Sequence, residues 1–225
     1  MFRLPNRARW RRGSSEAHKN SPKMSLHKTS ASQSDHEGRD SPLILITTSR
    51  SPTASIRTLS NNLSWLLPNS LRLTRGKSGL KEIAGTAIQQ GCSRVIILER
   101  WKTGMCKILF YSISPQGLKL LSPGIHIKSF LANPARRKKH SRIPAVHSIR
   151  LLSRDKSARR LAVFLSRFLE LQLVNSHDLQ DMAESALTVS VTEKGQVKIS
   201  IEANQSSEGM PSLHVDRVVW DIAGA

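Results

Sequence analysis

The sequence predicts an α/β fold in two halves joined by a basic connector, behind a basic N-terminal arm. Three observations carry that expectation. Short apolar runs alternate with amphipathic stretches from Leu43 to Leu98 in the order strand, helix, strand, helix, strand, the pattern of helices packed on a largely parallel sheet. A strictly alternating pair of segments near the C-terminus reads as a hairpin. Finally, the composition changes abruptly at Pro42.

Residues 1–41 are rich in Ser, Arg, Lys, Asn and His and poor in aliphatic side chains, so they bury too little surface to offset their ordering entropy. They are expected to form a disordered basic arm. Three readings fit it: a solvated arm adding phosphate affinity through Arg7, Arg9, Arg11 and Arg12, an organelle transit peptide, or an extension ahead of a true start at Met24.

Charge is divided unevenly along the chain. The formal net charge is +19; residues 1–160 hold 31 Lys or Arg against 7 Asp or Glu, and residues 161–225 hold 4 against 9. The first part is thus at +24 and the last at −5. Such a field attracts polyanions, which makes nucleic acid the leading partner. The two cysteines, Cys92 and Cys106, make neither a disulfide framework nor a Cys-x-x-Cys pair, so both read as buried free thiols in a reducing compartment. No apolar run approaches the length of a membrane-spanning helix, and no membrane partner is expected.

The elements follow in order. Leu43 to Ile46 is a continuous apolar run, expected for a strand covered on both faces. Ile56, Leu59, Leu63 and Leu67 recur at helical spacing, with Arg57, Ser60, Asn61 and Ser64 expected on the wet side and Pro68 as the stop. Leu71 to Thr74 is a second strand. Leu80, Ile83, Ala84, Ala87 and Ile88 make the stripe of a second helix ending at Gly91. Val95 to Leu98 is a third strand, and Lys107 to Ile113 its antiparallel neighbour.

A second unit is expected beyond Asn133-Pro134. Val146 to Leu152 reads as a strand, and Ala158, Leu161, Ala162, Leu165, Phe168 and Leu169 as the core face of a long helix. Leu187, Val189 and Val191 alternate with Thr188, Ser190 and Thr192 before Lys194-Gly195 turns the chain into Val197, Ile199 and Ile201: a hairpin with one wet face. Leu213 to Ile222 is expected to close the sheet.

Two constellations sit at strand ends. Thr47-Thr48-Ser49-Arg50 follows the first strand, with a helix expected to be capped by Thr53 or Ser55; Arg75-Gly76-Lys77-Ser78-Gly79 follows the second. Ligands of open α/β sheets bind beyond the carboxyl ends of the strands, so Arg50 and Arg57 should share an edge with Arg75 and Lys77 if the strands run parallel. Hydroxyls and guanidinium groups suit phosphate and ribose, and Thr48 and Ser49 are candidates for such contacts; the alternative is that Thr47 to Ser49 only satisfy loop backbone. Gly-Lys-Ser ahead of a helix invites a nucleotide-binding reading, but the required first glycine is Leu71. What survives is a helix N-terminus flanked by Arg75, Lys77 and Lys81 that either seats a backbone phosphate or is a purely structural turn.

The densest charge is Arg136-Arg137-Lys138-Lys139-His140-Ser141-Arg142. A charge run can be a solvated loop or a localisation signal; in a chain so basic, phosphate contact is the preferred reading. Aromatics are few. Trp65, Phe110 and Tyr111 are expected in the core, leaving Trp101, between Arg100 and Lys102, as the best candidate for stacking on a base. No serine-hydrolase elbow, zinc spacing or carboxylate cluster for a two-metal nuclease is present, so no catalytic residue, metal, cofactor or small-molecule substrate is assigned.

The opening strand with Thr-Thr-Ser-Arg at 47–50, Arg75-Gly76 after the second strand, and the strand–helix–strand order through Ile97 together resemble the start of a Brix domain. The resemblance extends from about Pro42 to Asp221, and the compact length looks like an archaeal member. It implies a Brix domain over 42–222, in two related α/β halves of about 42–133 and 144–222. Each would be similar to the anticodon-binding domain of class IIa aminoacyl-tRNA synthetases. It further implies a non-catalytic role in ribosome biogenesis, binding ribosomal RNA precursors and assisting rRNA processing and subunit assembly, with ribosomal or other assembly proteins as further partners. The location would be cytoplasmic in an archaeon and nucleolar in a eukaryote. Thr48, Ser49, Arg50, Arg75 and Gly76 are the matched positions. The same fold leaves open a tRNA-binding or synthetase-associated module. The Ser-rich arm departs from the compact pattern.

Overall fold

A computed structural model describes residues 44–101, 105–131, 145–175, 185–202 and 211–221. The predicted arm, the junction at 132–144 with its basic run, and the acidic segment 176–184 lie outside the described residues. The first strand β1 (Ile44–Thr48) leads to α1 (Ala54–Leu66), β2 (Ser70–Arg72), α2 (Leu80–Gln89), β3 (Arg94–Arg100), β4 (Cys106–Ser114) and β5 (Gly117–Leu131). Then come β6 (Ser148–Leu151), α3 (Lys156–Leu169), β7 (Gln172–Asn175), β8 (Ala186–Val191), β9 (Val197–Glu202) and β10 (Ser212–Val219).

All ten strands join one sheet in the order β2-β1-β3-β4-β5-β10-β9-β8-β6-β7. Strands β2, β1 and β3 are mutually parallel and β4 and β5 follow antiparallel. At the other end β7, β6 and β8 are parallel, and β9 and β10 follow antiparallel. The last strand joins the sheet, as expected, between β5 and β9. Leu213 pairs with Phe130 on one side and Ile199 on the other, so β10 lies in the interior of the sheet.

Alternation along the strands divides the core. Ile44, Ile46, Ile96, Leu98, Ile108 and Phe110 face α1 and α3, whereas Leu45, Val95, Ile97 and Leu109 face Ile83 and Ala87 of α2. Coverage on both sides is why β1 is buried along its whole length. Phe110 of β4 meets Phe164 and Phe168 of α3 edge-on, with ring centroids 5.0 and 4.9 Å away, which ties the early strands to the late helix.

Several expectations need correcting. Trp65 is 64% exposed rather than core, because it falls on the side of α1 that carries Thr58 and Asn61. Ser60 is buried instead of wet, one turn after Ile56 on the packed face. Leu80 and Ile88 are exposed because α2 sits on the sheet through the narrow stripe Ile83, Ala84 and Ala87. The hairpin of β8 and β9 turns through Gly195, at φ +73, as patterned, but Thr188 is buried, so that face is not uniformly wet. Two strands were not predicted. β7 is only four residues long. β5 contains Pro123, which argues against a strand interior; here it falls in the register shift opposite Ile108 to Phe110, with a cis peptide bond after Ser122.

Candidate RNA interface

Parallel pairing brings the carboxyl ends of β1, β2 and β3 to one edge of the sheet. Thr48 pairs with Leu98, and the N–H groups of Ser49 and Leu73 bond the carbonyls of Leu98 and Ile46 at 2.8 and 2.9 Å. This places Ser49 and Arg50, the 73–79 loop and Arg100-Trp101 side by side, as expected for parallel strands.

The hydroxyls divide by role. Thr47 is buried and donates to the Leu73 carbonyl at 2.9 Å; Thr48 is also buried and donates to the Ser49 carbonyl at 3.2 Å. Both hydroxyls bond backbone carbonyls. Among the described residues the buried hydroxyl of Ser49 has no hydrogen-bond partner and so keeps its bonding capacity at the strand end.

Arg75 organises the second loop. Its Nε donates to the Ser78 carbonyl at 3.0 Å and its Nη1 to the Thr48 carbonyl at 3.5 Å, while the Ser78 N–H returns to the Arg75 carbonyl at 3.1 Å. The turn this closes needs a left-handed residue, and Gly76 supplies it at φ +57. Gly79, at φ −77, precedes α2 in an ordinary extended conformation. Its N–H bonds the Glu82 carboxylate at 3.1 Å. That carboxylate occupies one of the helix's free donors and partly offsets its positive end, beside the cations Arg75, Lys77 and Lys81.

Arg50 and Lys77 are exposed, as is Lys81 on the first turn of α2. A Cβ built on Gly79 would lie 4.0 Å from Nη2 of Arg50, so the guanidinium reaches over the start of α2. Arg57 stands on the first turn of α1, across the sheet, where its Nη1 bonds the Pro52 carbonyl at 2.9 Å; Thr53 caps that helix through the Ile56 N–H. Arg50, Arg75, Gly76, Lys77 and Lys81 thus lie around the start of α2, while Arg57 stands on the other face of the sheet. Arg136, Arg137, Lys138, Lys139 and Arg142 lie outside the described residues.

Trp101, just beyond the end of β3, is half-buried. Its ring meets His126 of β5 edge-on at 4.5 Å, with Lys107 and Arg217 at 6.0 and 5.7 Å from its centroid. Only Trp101 of this group was legible beforehand; Lys107, His126 and Arg217 come from three distant strands. Cys92 and Cys106 are free and buried, and burial pushes the Cys106 thiol up to about 12. No helix of the described residues is long and apolar enough to cross a membrane.

No family model matches the chain. A probable Brix domain-containing ribosomal biogenesis protein of Pyrococcus furiosus is 39% identical over 74 residues, 33% of this chain and 33% of that protein. Its counterpart from Saccharolobus solfataricus is 32% identical over 76 residues, 34% of this chain and 45% of that one. The matched stretch spans about a third of the first relative's length. In fold, a probable ribosomal biogenesis protein from Aeropyrum pernix K1 superposes with a TM-score of 0.61 at 20% identity, covering 77% of this chain and 94% of the other. Mil, an archaeal Imp4-like protein, gives 0.56 at 15%, covering 79% and 99%. The chain is therefore similar in sequence, over a third of its length, to the Brix domain-containing ribosomal biogenesis proteins that its strand-end motifs resemble, and in fold, over more than three-quarters of it, to the Aeropyrum pernix and Imp4-like structures.

Proposed function

We propose that this protein is a non-catalytic ribosome biogenesis factor that binds ribosomal RNA precursors and supports their processing and assembly into subunits. The observation that carries the reading is the gathering of Arg50, Arg75 and Lys77 at the carboxyl edge of β1 and β2. The relatives' names speak of ribosomal biogenesis, which supports reading ribosomal RNA precursors as the polyanion. Cations on a sheet edge, with little aromatic surface, suit recognition of backbone and shape rather than of single bases. The run Arg136 to Arg142 is read as a further phosphate contact from the connector.

The domain limits 42–222, with halves of about 42–133 and 144–222, belong to the same proposal. In favour of related halves, β2-β1-β3-β4-β5 and β7-β6-β8-β9-β10 repeat one pattern of three parallel and two antiparallel strands. A likeness of each half to synthetase anticodon-binding domains follows from the family resemblance, as does a cytoplasmic place beside the ribosome in an archaeal cell. Ultraviolet crosslinking in the native cell, followed by sequencing of the recovered RNA, tests the function. Reads concentrated at a few sites in ribosomal RNA precursors are expected; reads dominated by tRNA, or spread in proportion to abundance, would overturn it.

A further inference from the structure

Side chains of β4, β5 and β10, with Trp101 just beyond the end of β3, converge on the face of the sheet that carries α2. His126 alternates with Ile125 and Ile127, which belong to the opposite core, so its ring points to this face. Lys107 of β4 and Arg217 of β10 are its two cross-strand partners. Without the register shift between Val215 and Arg217 the arginine would face the other core; the bulge turns it toward His126. Trp101 completes the group from the end of β3.

The cluster is rich in donors and short of acceptors. Among the described residues the buried Nε1 of Trp101 and Nδ1 of His126 have no hydrogen-bond partner, and His126 is only 4% exposed. Buried polar groups left in that state are costly and call for explanation. The nearest acids are Glu99, the cross-strand partner of Lys107, and Asp216, the extra residue of the bulge. Among the described residues neither forms an ion pair with Lys107 or Arg217. The group also adjoins the strand-end cations, since Trp101 follows Arg100 directly and Leu98 bonds Ser49.

We propose that Trp101, Lys107, His126 and Arg217 form a second seat for a phosphodiester of the RNA that the strand ends engage. A phosphate brings the missing acceptors and the compensating charge together, and an aromatic ring beside it offers a face to the adjoining ribose or base. This inference rests on the RNA reading above.

The test follows the indole N–H signal of Trp101 in a nitrogen-15 correlation spectrum of the full chain, identified by its loss in Trp101→Phe. Adding a single-stranded RNA oligonucleotide is expected to shift that signal. Arg217→Gln, at an exposed position, and independently Lys107→Gln should abolish the shift and lower the salt slope of binding by about 0.7 log units each. Lys119→Gln, at the far end of β5, should do neither. RNA binding with an unmoved Trp101 signal, or an equal shift in both Gln variants, would overturn the second seat alone. A shift with inorganic phosphate but none with RNA would overturn its assignment to a nucleic acid. Failure of the chain to bind RNA at all would remove this inference together with the reading beneath it.

Discussion

Arg94, the first residue of β3, donates to the carboxylate of Glu170, the left-handed residue that ends α3. The same guanidinium donates to the Phe168 carbonyl at 2.6 Å and lies 5.7 Å from the Phe168 ring centroid. An early strand is thereby fastened to the C-terminus of a late helix, where a cation satisfies an orphan carbonyl and opposes the negative end of the dipole.

Arg94→Ala should cost about 1–3 kcal/mol, the range for losing a charge-assisted bond to a partly buried acceptor. Glu170→Gly should instead be neutral or stabilising by up to about 1 kcal/mol. It loses an ion pair whose carboxylate is 57% exposed and of little value, but relieves a left-handed backbone at φ +55. Urea denaturation of the two variants checks both signs. Equal losses would mean that the carboxylate, not the carbonyl, holds the joint.

At the strand ends, Arg50→Gln and Lys77→Gln should each weaken RNA binding and flatten its salt dependence by about 0.7–0.9 log units, with no change in Tm, because both side chains are exposed. Arg75→Gln should lower affinity and stability together, since its guanidinium holds the carbonyls of Ser78 and Thr48. Affinity measured at several salt concentrations beside thermal melts separates the two patterns.

Replacing Arg136, Arg137, Lys138 and Lys139 together by Ala is expected to weaken RNA binding while leaving the circular dichroism spectrum unchanged. Unaltered affinity at physiological salt would remove the connector from the interface.

Burial, then the charges of Arg217 and Lys107, holds His126 below its ordinary 6.5, with Asp216 opposing them. Below that pH the unfolded chain takes up a proton that the folded chain resists, so stability should fall as pH drops, by at most about 1.4 kcal/mol per pH unit for one group. Denaturation midpoints from pH 7.5 downward should show a steeper loss in the native chain than in His126→Gln, and a shallower one in Arg217→Gln. Identical slopes would mean that His126 accepts its proton freely.

Phosphate beside His126 should in turn favour its charged form, so the contribution of this seat to RNA affinity should grow on acidification. Comparing the affinity of native and Arg217→Gln chains across the same pH range measures that difference.

The elements legible in the sequence were those with a strong local period or boundary. Ile44 to Thr48, the stripe of Ile56 and Leu59, and the face of Ala158, Leu161 and Leu165 need only their own spacing to be read. The strand-end motifs were legible for the same reason, because a loop after a strand and before a helix has a local signature. Strand β5 was hidden by Pro123, which is accommodated where β5 carries extra residues in its pairing with β4. Trp65 and Ile88 were misplaced because each borders an apolar stripe whose usable width is set by what packs on it.

By itself, the sequence determined the α/β class and the strand-end motifs that carry Arg50, Arg75 and Lys77, which share an edge if the strands run parallel. The tertiary structure alone decided that β10 enters between β5 and β9, that Arg94 reaches Glu170, and that a bulge carries Arg217 to His126 and Trp101. The physical reason is range. Period, capping and turn chemistry act over a few residues, whereas strand order and the meeting of four distant side chains depend on which surfaces bury one another, and no local pattern records that.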